Sequence, residues 1–554
     1  MTRTGGRILV DQLLAQGCDR IFQVPGESFL AVLDALADTP QIDLVTCRQE
    51  GGAAFMADAD ARLTGRPGVA FCTRGPGATN ASIGVHVAMQ DSTPLILFVG
   101  DVARPMRDRE GFQEVDLPAF FAPLAKWSAR IDSAERIPEY VARAYATALS
   151  GRPGPVVLAL PEDMLAGEAS ATDRPRVDAP LQPACADAMG ALTALLGDAT
   201  DPLIIAGGAG WSPKAAHHLQ GWAERLGLPV ASAFRRQDCI ANDSAVYAGN
   251  LGYGPNPKLA ERVRGADLIV AVGARLGEAT TDGYELITPD HPDQRLVHVH
   301  PDPAELNSVY RADLPICAEV GEFCEQADLW EGDVVSFDAG ATAHAEWVEW
   351  STPAPGGFDL DLASCLGVMR ERCPADTVIC NGAGNFSGWW HRYWPYAGPG
   401  TQLAPTAGAM GYGIPAAVAA ARRLPGRTVV ALAGDGDALM NGQELATAAR
   451  LGVRLTVLVV DNGGYGTIRM HQERDYPGAV SGTELTNPDF AAWGRSFGAA
   501  AWTVTRTDEF EPALEGALAH GGLSLLHLRI DMNQLAAGGL TVDKLRQRGS
   551  DLQT

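Results

Sequence analysis

Two short loops in the last third of the chain carry oxygen donors at matching places. The β-branched and small apolar run Thr428 to Ala433 leads into Gly434-Asp435-Gly436, and a second apolar run, Leu455 to Val460, ends in Asp461-Asn462-Gly463-Gly464. Between them Leu445, Ala448, Ala449 and Gly452 fall at helical spacing. The pattern predicts strand, loop, helix and strand, with both loops at the carboxyl ends of neighbouring parallel strands, where open α/β sheets bind ligands. Asp435 offers a carboxylate and Asn462 an amide oxygen, with carbonyls freed by the glycines. A few hard oxygen donors that leave room for phosphate oxygens and water suit Mg²⁺ better than zinc or iron. Glycine lets backbone approach a phosphate, and a helix N-terminus favours the anion. Gly-Asp-Gly alone would read as an ordinary turn. Asn462, standing 27 residues after Asp435, makes it a Mg²⁺–diphosphate clamp.

A second constellation lies near the start of the chain. Glu50 follows the apolar run Leu44 to Thr46 and opens the segment Glu-Gly-Gly-Ala-Ala, which leaves little bulk beside its carboxylate. A single glutamate there is also what a helix dipole favours without any chemistry. The turn GPGATN, 75–80, follows at the next strand end. With Pro76 at the first helical position it makes a tight turn whose open side can face a ring.

The elements that would hold these residues read as three α/β blocks, since 554 residues exceed what one core can serve. Residues 1–165 contain strands at Leu44–Thr46, Val69–Cys72 and Leu95–Val99 and a last one within Gly151–Met164. Residues 167–186 are polar and proline-rich, a linker. A second block, 187–330, carries strands at Leu203–Ala206, Leu228–Ala231, Leu268–Val272 and Leu296–His300, and the third, 358–540, contains the clamp. The apolar strands lack polar alternation, as expected of parallel sheets covered on both faces. Three doubly wound domains with mainly parallel sheets is the expected fold. Asp333–Gly357 reads as irregular, and the polar tail after Asn533 as surface or subunit contact. A net charge of −24, with four lysines among 43 basic residues, disfavours nucleic acid and anionic membranes as partners. No apolar run reaches the ~18 residues of a membrane span, the opening residues lack a signal-peptide core, and the ten cysteines show no metal or redox spacing. Those features predict a cytoplasmic protein with free thiols.

The segments RQEGGAAFMADADAR, TRGPGATN, DSTPLI, GFQEVD and GRPGPVVLALPEDM resemble the pyrimidine-binding domain of the acetolactate synthase-like enzymes that use thiamin diphosphate (ThDP). GAMGYGIPAA, GDGDALMNGQELATA and DNGGYG resemble their diphosphate-binding domain, and the resemblance runs in order along nearly the whole chain. It implies that Glu50 bonds the aminopyrimidine and drives its tautomerisation, as a carboxylate placed for proton transfer. It implies that Thr73, Pro76 and Asn80 face the pyrimidine, and that Met410, beside Gly408, wedges between the two rings. It implies a metal held by Asp435, Asn462 and the Gly464 carbonyl. Gly434, Gly436, Asp437, Ala383, Gly384, Asn385, Phe386, Tyr465, Gly466 and Thr467 would surround the diphosphate and metal. In the family, Glu50 and Asp435 would serve one cofactor from two subunits, which implies a homodimer at least and a homotetramer by expectation. GARLGE (273–278) and HPDPAEL (300–306) stand where FAD-binding members carry related turns, which leaves FAD or ADP open as a ligand of the central block.

The reaction implied is decarboxylation of a 2-oxo acid and transfer of the acyl anion to an acceptor. Glu27, Ser28, Phe29, His86, Phe112, Gln113 and the segment around His471 are the candidate substrate side. Gln113 matches an acceptor-side glutamine of the family, or else bonds backbone in its loop. His86 is a catalytic candidate, though a lone helical histidine is more often structural. Three departures from acetolactate synthases stand out: Glu27-Ser28 in place of small residues, Gln49 in place of a histidine, and His471 near the place of a tryptophan. They turn attention from pyruvate condensation toward other 2-oxo acids. The alternatives are a simple 2-oxo acid decarboxylase releasing an aldehyde and a non-catalytic paralogue acting as a binding partner. A dinucleotide oxidoreductase would need GxGxxG, which GGAG at 207–210 does not supply.

Overall fold

The computed structural model describes residues 2–289, 293–330 and 336–551, with side chains to residue 547. Three six-stranded sheets form, every strand pair in them parallel. Counted along the chain, the first sheet (Arg20–Gln23, Asp43–Thr46, Gly68–Thr73, Leu95–Asp101, Trp127–Arg130, Pro155–Pro161) has the order 2-1-3-4-6-5. The third sheet (Val378–Asn381, Gln402–Leu403, Val429–Gly434, Leu455–Asp461, Ala500–Val504, Leu523–Arg529) has the same order. The middle sheet, Pro202–Ala206 through Leu314–Cys317, is 3-2-1-4-5-6. Strands such as Pro155–Pro161 are buried along their whole length, which is why their sequences are continuously apolar. In the first and third sheets the winding reverses between strands 1 and 3, and the carboxyl ends of those strands flank a crevice.

The chain divides into two compact units. One comprises Met1–Pro180 with Val418–Arg423 and Asn441–Leu451; the other comprises Leu181–Ala417, Leu424–Met440 and Gly452–Thr554. In the first, helix Glu50–Thr64 packs on Arg74–Asp91 through small residues. A Cβ on Gly84 would stand 2.3 Å from Ala54 Cβ, so glycine there lets the two helices approach. Arg20, Arg422 and Arg423 interlace with Asp19, Asp43 and Asp60 in the same unit, for example Arg423 Nη2 to Asp60 at 2.8 Å. Among the described residues, no helix is long and apolar enough to cross a membrane. All ten cysteines are free thiols.

Several sequence expectations change. The strand expected at Leu228–Ala231 begins at Val230, after left-handed Gly227 (φ 66°) closes the preceding helix. The helix after the clamp begins at Asp435 itself, breaks into a 3₁₀ turn at Gly442–Glu444 and resumes over Leu445–Leu451, leaving Gly452 outside it at φ 59°. Within the stretch read as irregular, Ala339–Ser351 is an α-helix whose Trp347 packs edge-on against Tyr247 at 5.0 Å. Residues 331–335 of that stretch lie outside the described residues.

The tail is not merely surface. Helix Val542–Asp551 docks on helix Gly466–Asp475, burying Val542 and Leu545 with Leu535. Under it Glu473, whose side chain is fully buried, receives Arg546 at 2.8 Å, Arg469 at 2.7 Å and the Gly478 N–H at 3.1 Å. The Arg546 guanidinium leads the interactions that bring its carboxyl down to about 2 against the opposing effect of burial. A carboxyl depressed in the folded state stabilises it above the ordinary value of 4.5 and loses that contribution as pH falls toward 2. Arg546→Met is expected to loosen the terminal helix, read as faster amide exchange across 542–551, with the loss shrinking at acid pH.

Candidate active site

The two halves of the chemistry are built separately. In the first unit, Gln49 caps helix Glu50–Thr64 by accepting from Gly52 N–H at 3.0 Å, which leaves the Glu50 side chain free of capping duty. Glu50 Oε2 instead accepts from Asn80 Nδ2 at 2.9 Å. Its Oε1 lies beside Gly77, where a Cβ would come within 3.3 Å. Glu50 and the GPGATN turn are thus neighbours. Helix Arg74–Asp91 starts two residues ahead of Pro76, so the proline is not its first residue. Thr73 and Ser28 share a hydrogen bond of 2.5 Å between hydroxyls, and a Cβ on Gly26 would stand 2.3 Å from Thr73 Cβ.

Glu444 is the residue that sequence reasoning passed over. It was legible only as part of a helical segment, yet its side chain is fully buried. Oε1 accepts from the backbone N–H groups of Arg48 and Gln49, both at 3.0 Å, and Oε2 from Thr447 Oγ1 at 2.6 Å. Burial pushes its carboxyl up against these bonds, which favour the ionised form. One buried carboxylate therefore pins the two peptides immediately before Glu50. A fully buried acid amid Leu445, Thr447 and Ala448 was the available signal.

The second unit holds a cavity of about 220 Å³ at the switch point of the third sheet. Every third-block residue assigned to the cofactor from sequence lines it: Ala383 to Phe386, Gly408, Met410, Gly434 to Asp437, Asn462 and Gly464 to Thr467. Trp389, Ile468, Ile530 and Gln534 also line it, and motif reading had no means to find them. Asn385 N–H donates to Thr467 Oγ1 at 2.9 Å, and that hydroxyl in turn bonds Asn385 Oδ1 at 3.0 Å, joining two loops of the wall. Asp437 Oδ1 accepts from Gly411 N–H at 2.6 Å, so this acid braces the turn carrying Met410. Burial lifts its carboxyl to about 7. The glycines have internal reasons too. A Cβ on Gly436 would stand 2.4 Å from Tyr465, and one on Gly434 2.9 Å from Phe386, so protein packing already demands glycine at both.

Asp435 is buried, and Oδ2 accepts from Asn487 Nδ2 at 2.7 Å and Gly464 N–H at 2.9 Å. Gly464 N–H also reaches Asn462 Oδ1, at 3.2 Å. Burial raises the Asp435 carboxyl to about 6, its neutral partners lower it only in part, and nearby Asp461 adds repulsion. Asp461 is tied to His527 at 2.8 Å and to Asn487 at 2.8 Å. A desolvated carboxylate near a second carboxylate, with the Asn462 amide oxygen close by, is a donor set that suits a hard cation. Among the described residues, no group of three His, Cys, Asp or Glu could hold a metal by itself. A cation at Asp435 would therefore complete its shell with diphosphate oxygens and water.

On the substrate side, Phe29 and Ser28 are buried, Phe112 is 72% exposed, and His86 lies exposed on helix Arg74–Asp91. Gln113 takes φ 63°, and its carbonyl accepts from Gly75 N–H at 2.9 Å, so its backbone has a structural use. His471, partly buried, sits on helix Gly466–Asp475 behind Thr467.

Comparison with known proteins finds related sequences along most of the chain. Three family models match in order: the N-terminal TPP binding domain of thiamine pyrophosphate enzymes over residues 3–120, the central domain over 189–327, and the C-terminal TPP binding domain over 382–528. The chain is 32% identical to the acetolactate synthase isozyme 2 large subunit of Escherichia coli, over 95% of each protein. It is 30% identical to a probable acetolactate synthase large subunit of Methanocaldococcus jannaschii, over 95% of this chain and 92% of that one. The acetolactate synthase large subunit of Corynebacterium glutamicum is 29% identical over 93% of this chain and 84% of its own length.

Two measurements test the site. A Cβ on Gly52 would stand 2.8 Å from Glu444 Oε1, so Gly52→Ala should displace that carboxylate and destabilise the protein by about 1–3 kcal/mol. The expected readout is a lower thermal midpoint, with turnover falling further than stability explains. Asp435 carries a raised carboxyl, so its ionised form opposes folding above pH about 6 and cation binding needs that form. Mg²⁺-dependent ThDP affinity, measured by titration calorimetry, is therefore expected to weaken as pH falls through about 6.

Proposed function

The chain belongs to the acetolactate synthase-like thiamine pyrophosphate enzymes, and from that premise we propose that it decarboxylates a 2-oxo acid and transfers the acyl anion to a carbonyl acceptor. The observation that carries this reading is the pairing of chemistries: a Glu50–Asn80 couple on one unit and an uncompensated Asp435 beside Asn462 on the other. ThDP, when bound, supplies the electron sink that stores the carbanion left by departing CO₂.

The chain's own residues have separable tasks in this reading. Glu50 holds and returns the proton at the pyrimidine ring nitrogen, with Asn80 fixing one of its oxygens and Glu444 fixing the turn before it. Thr73 and Pro76 would border the pyrimidine, and Met410, braced through Gly411 by Asp437, would support the rings. Asp435, Asn462 and the Gly464 carbonyl would hold Mg²⁺, which would neutralise charge on the diphosphate. The Ala383–Phe386 turn and the Gly466–Thr467 helix start border the diphosphate. We assign residues 1–165 to pyrimidine binding, 187–330 to the central domain and 358–540 to the diphosphate and metal. A homodimer, in which each copy completes its partner's site, is the minimal active form, with a tetramer built from two. We place the enzyme in the cytoplasm on its composition.

Glu50→Gln keeps the shape and the Asn80 contact region while removing the titrating group. It is expected to bind ThDP within about threefold of the parent and to lose at least about 100-fold in kcat. Unchanged turnover would refute the role of Glu50. Mass-spectrometric product analysis on a panel of 2-oxo acids separates the carboligase, which yields a 2-hydroxy ketone, from a simple decarboxylase, which yields an aldehyde.

A further inference from the structure

One charged group at the first sheet's carboxyl edge has no part in the chemistry above. Arg74, the first residue of helix Arg74–Asp91, is 8% exposed and takes the left-handed backbone at φ 42°, uncommon for a residue with a Cβ. Its Nη1 donates to Glu27 at 2.8 Å and its Nη2 to Glu162 at 2.8 Å. Its Nε is buried without a partner, and its guanidinium lies 5.9 Å from the centre of the Phe112 ring. Four loops thus meet at Arg74. They follow strands Arg20–Gln23, Gly68–Thr73, Leu95–Asp101 and Pro155–Pro161, all opening on the same edge as Glu50.

The carboxylate that this arginine steers is not buried with it. The Glu27 side chain is 65% exposed, and Phe112 beside it is 72% exposed. Gly26, the residue before Glu27, is packed on Thr73, which faces the pyrimidine in the proposed reading. An exposed ion pair has little reason in stability to hold a strained arginine in a buried turn. Such strain persists where the surroundings over-determine it, often at sites that select a ligand.

We propose that Glu27, held in place by Arg74, is a specificity residue that selects a substrate carrying a hydroxyl group over its plain alkyl counterpart. A carboxylate offers acceptors only, so what it recognises must donate a hydrogen bond. A neutral hydroxyl can share Glu27 with the guanidinium, whereas a cation would compete with Arg74 for the same oxygens. Phe112 offers an apolar face to the substrate's carbon chain. An alkyl group in the hydroxyl's place would desolvate Glu27 and return nothing, which is how a polar site rejects an isostere. The inference rests on the proposed function and deepens it.

The matched pair 3-hydroxypyruvate and 2-oxobutanoate, which differ by OH against CH₃, tests it. With ThDP and Mg²⁺ present, binding is measured by calorimetry in the Glu50→Gln background, and kcat/KM in the parent. The hydroxylated acid is expected to be favoured at least about tenfold, and Glu27→Ala to bring that ratio to about one while ThDP affinity holds. Glu27→Gln, which keeps an acceptor, should retain part of the preference, as a merely structural role would not require. Equal binding of the two acids, or a ratio that survives Glu27→Ala, overturns the proposal. Failure to turn over any 2-oxo acid would refute the carboligase reading instead, while the binding ratio still decides this one.

Discussion

A parallel strand cannot pair with its successor through a tight turn; the chain must cross back over a face of the sheet, usually as a helix. That constraint organises this protein. Each strand delivers its chain to the same edge, and in the first and third sheets the winding reverses between strands 1 and 3. The loops after Arg20–Gln23 and Gly68–Thr73 bring Gly26 against Thr73 and Glu27 against Arg74. The loops after Val378–Asn381, Val429–Gly434 and Leu455–Asp461 bring the Ala383–Phe386 turn, Asp435 and Asn462 around one cavity. One topology, used twice, gathers two separate sets of polar loops.

Burial then decides what the acids at those edges can do. Asp435 and Asp437 are desolvated and lifted to about 6 and 7, because their partners are mostly neutral amides and peptide groups. Glu473, equally hidden, goes the other way because two arginines reach it. The contrast separates an acid that a cation would satisfy from acids whose work is to hold the fold. Glu444 stands between these cases: fully buried and raised, yet bonded to the peptides that precede Glu50. Its geometry joins the segment Asn441–Leu451 to the helix bearing Glu50 within one unit.

Local pattern and long-range contact divided the reading of this chain. The two donor loops at Asp435 and Asn462 were legible because strand, turn and donor follow one another within a few residues, and apolar runs without alternation mark buried parallel strands. Glu50 was legible beside Gly-Gly-Ala-Ala for the same reason, since small residues in sequence mean close helix packing in space. The helix after Asp435 was misjudged, because its periodic residues begin only after the 3₁₀ turn at Gly442–Glu444. The terminal helix was missed because its polar face hides the two apolar residues, Val542 and Leu545, that seat it.

By itself the sequence determined the fold class, the cofactor class and most of the cavity wall, since these depend on short segments whose local physics is complete; Trp389, Ile468, Ile530 and Gln534 came only with the structure. Tertiary structure alone decided that Glu444 holds the turn before Glu50, that Asn487 bridges Asp435 and Asp461, and that Arg74 joins Glu27 to Glu162. Each of these contacts joins residues 26 to 396 positions apart. No period or motif links such positions. They meet only because the crossovers return every loop to one edge.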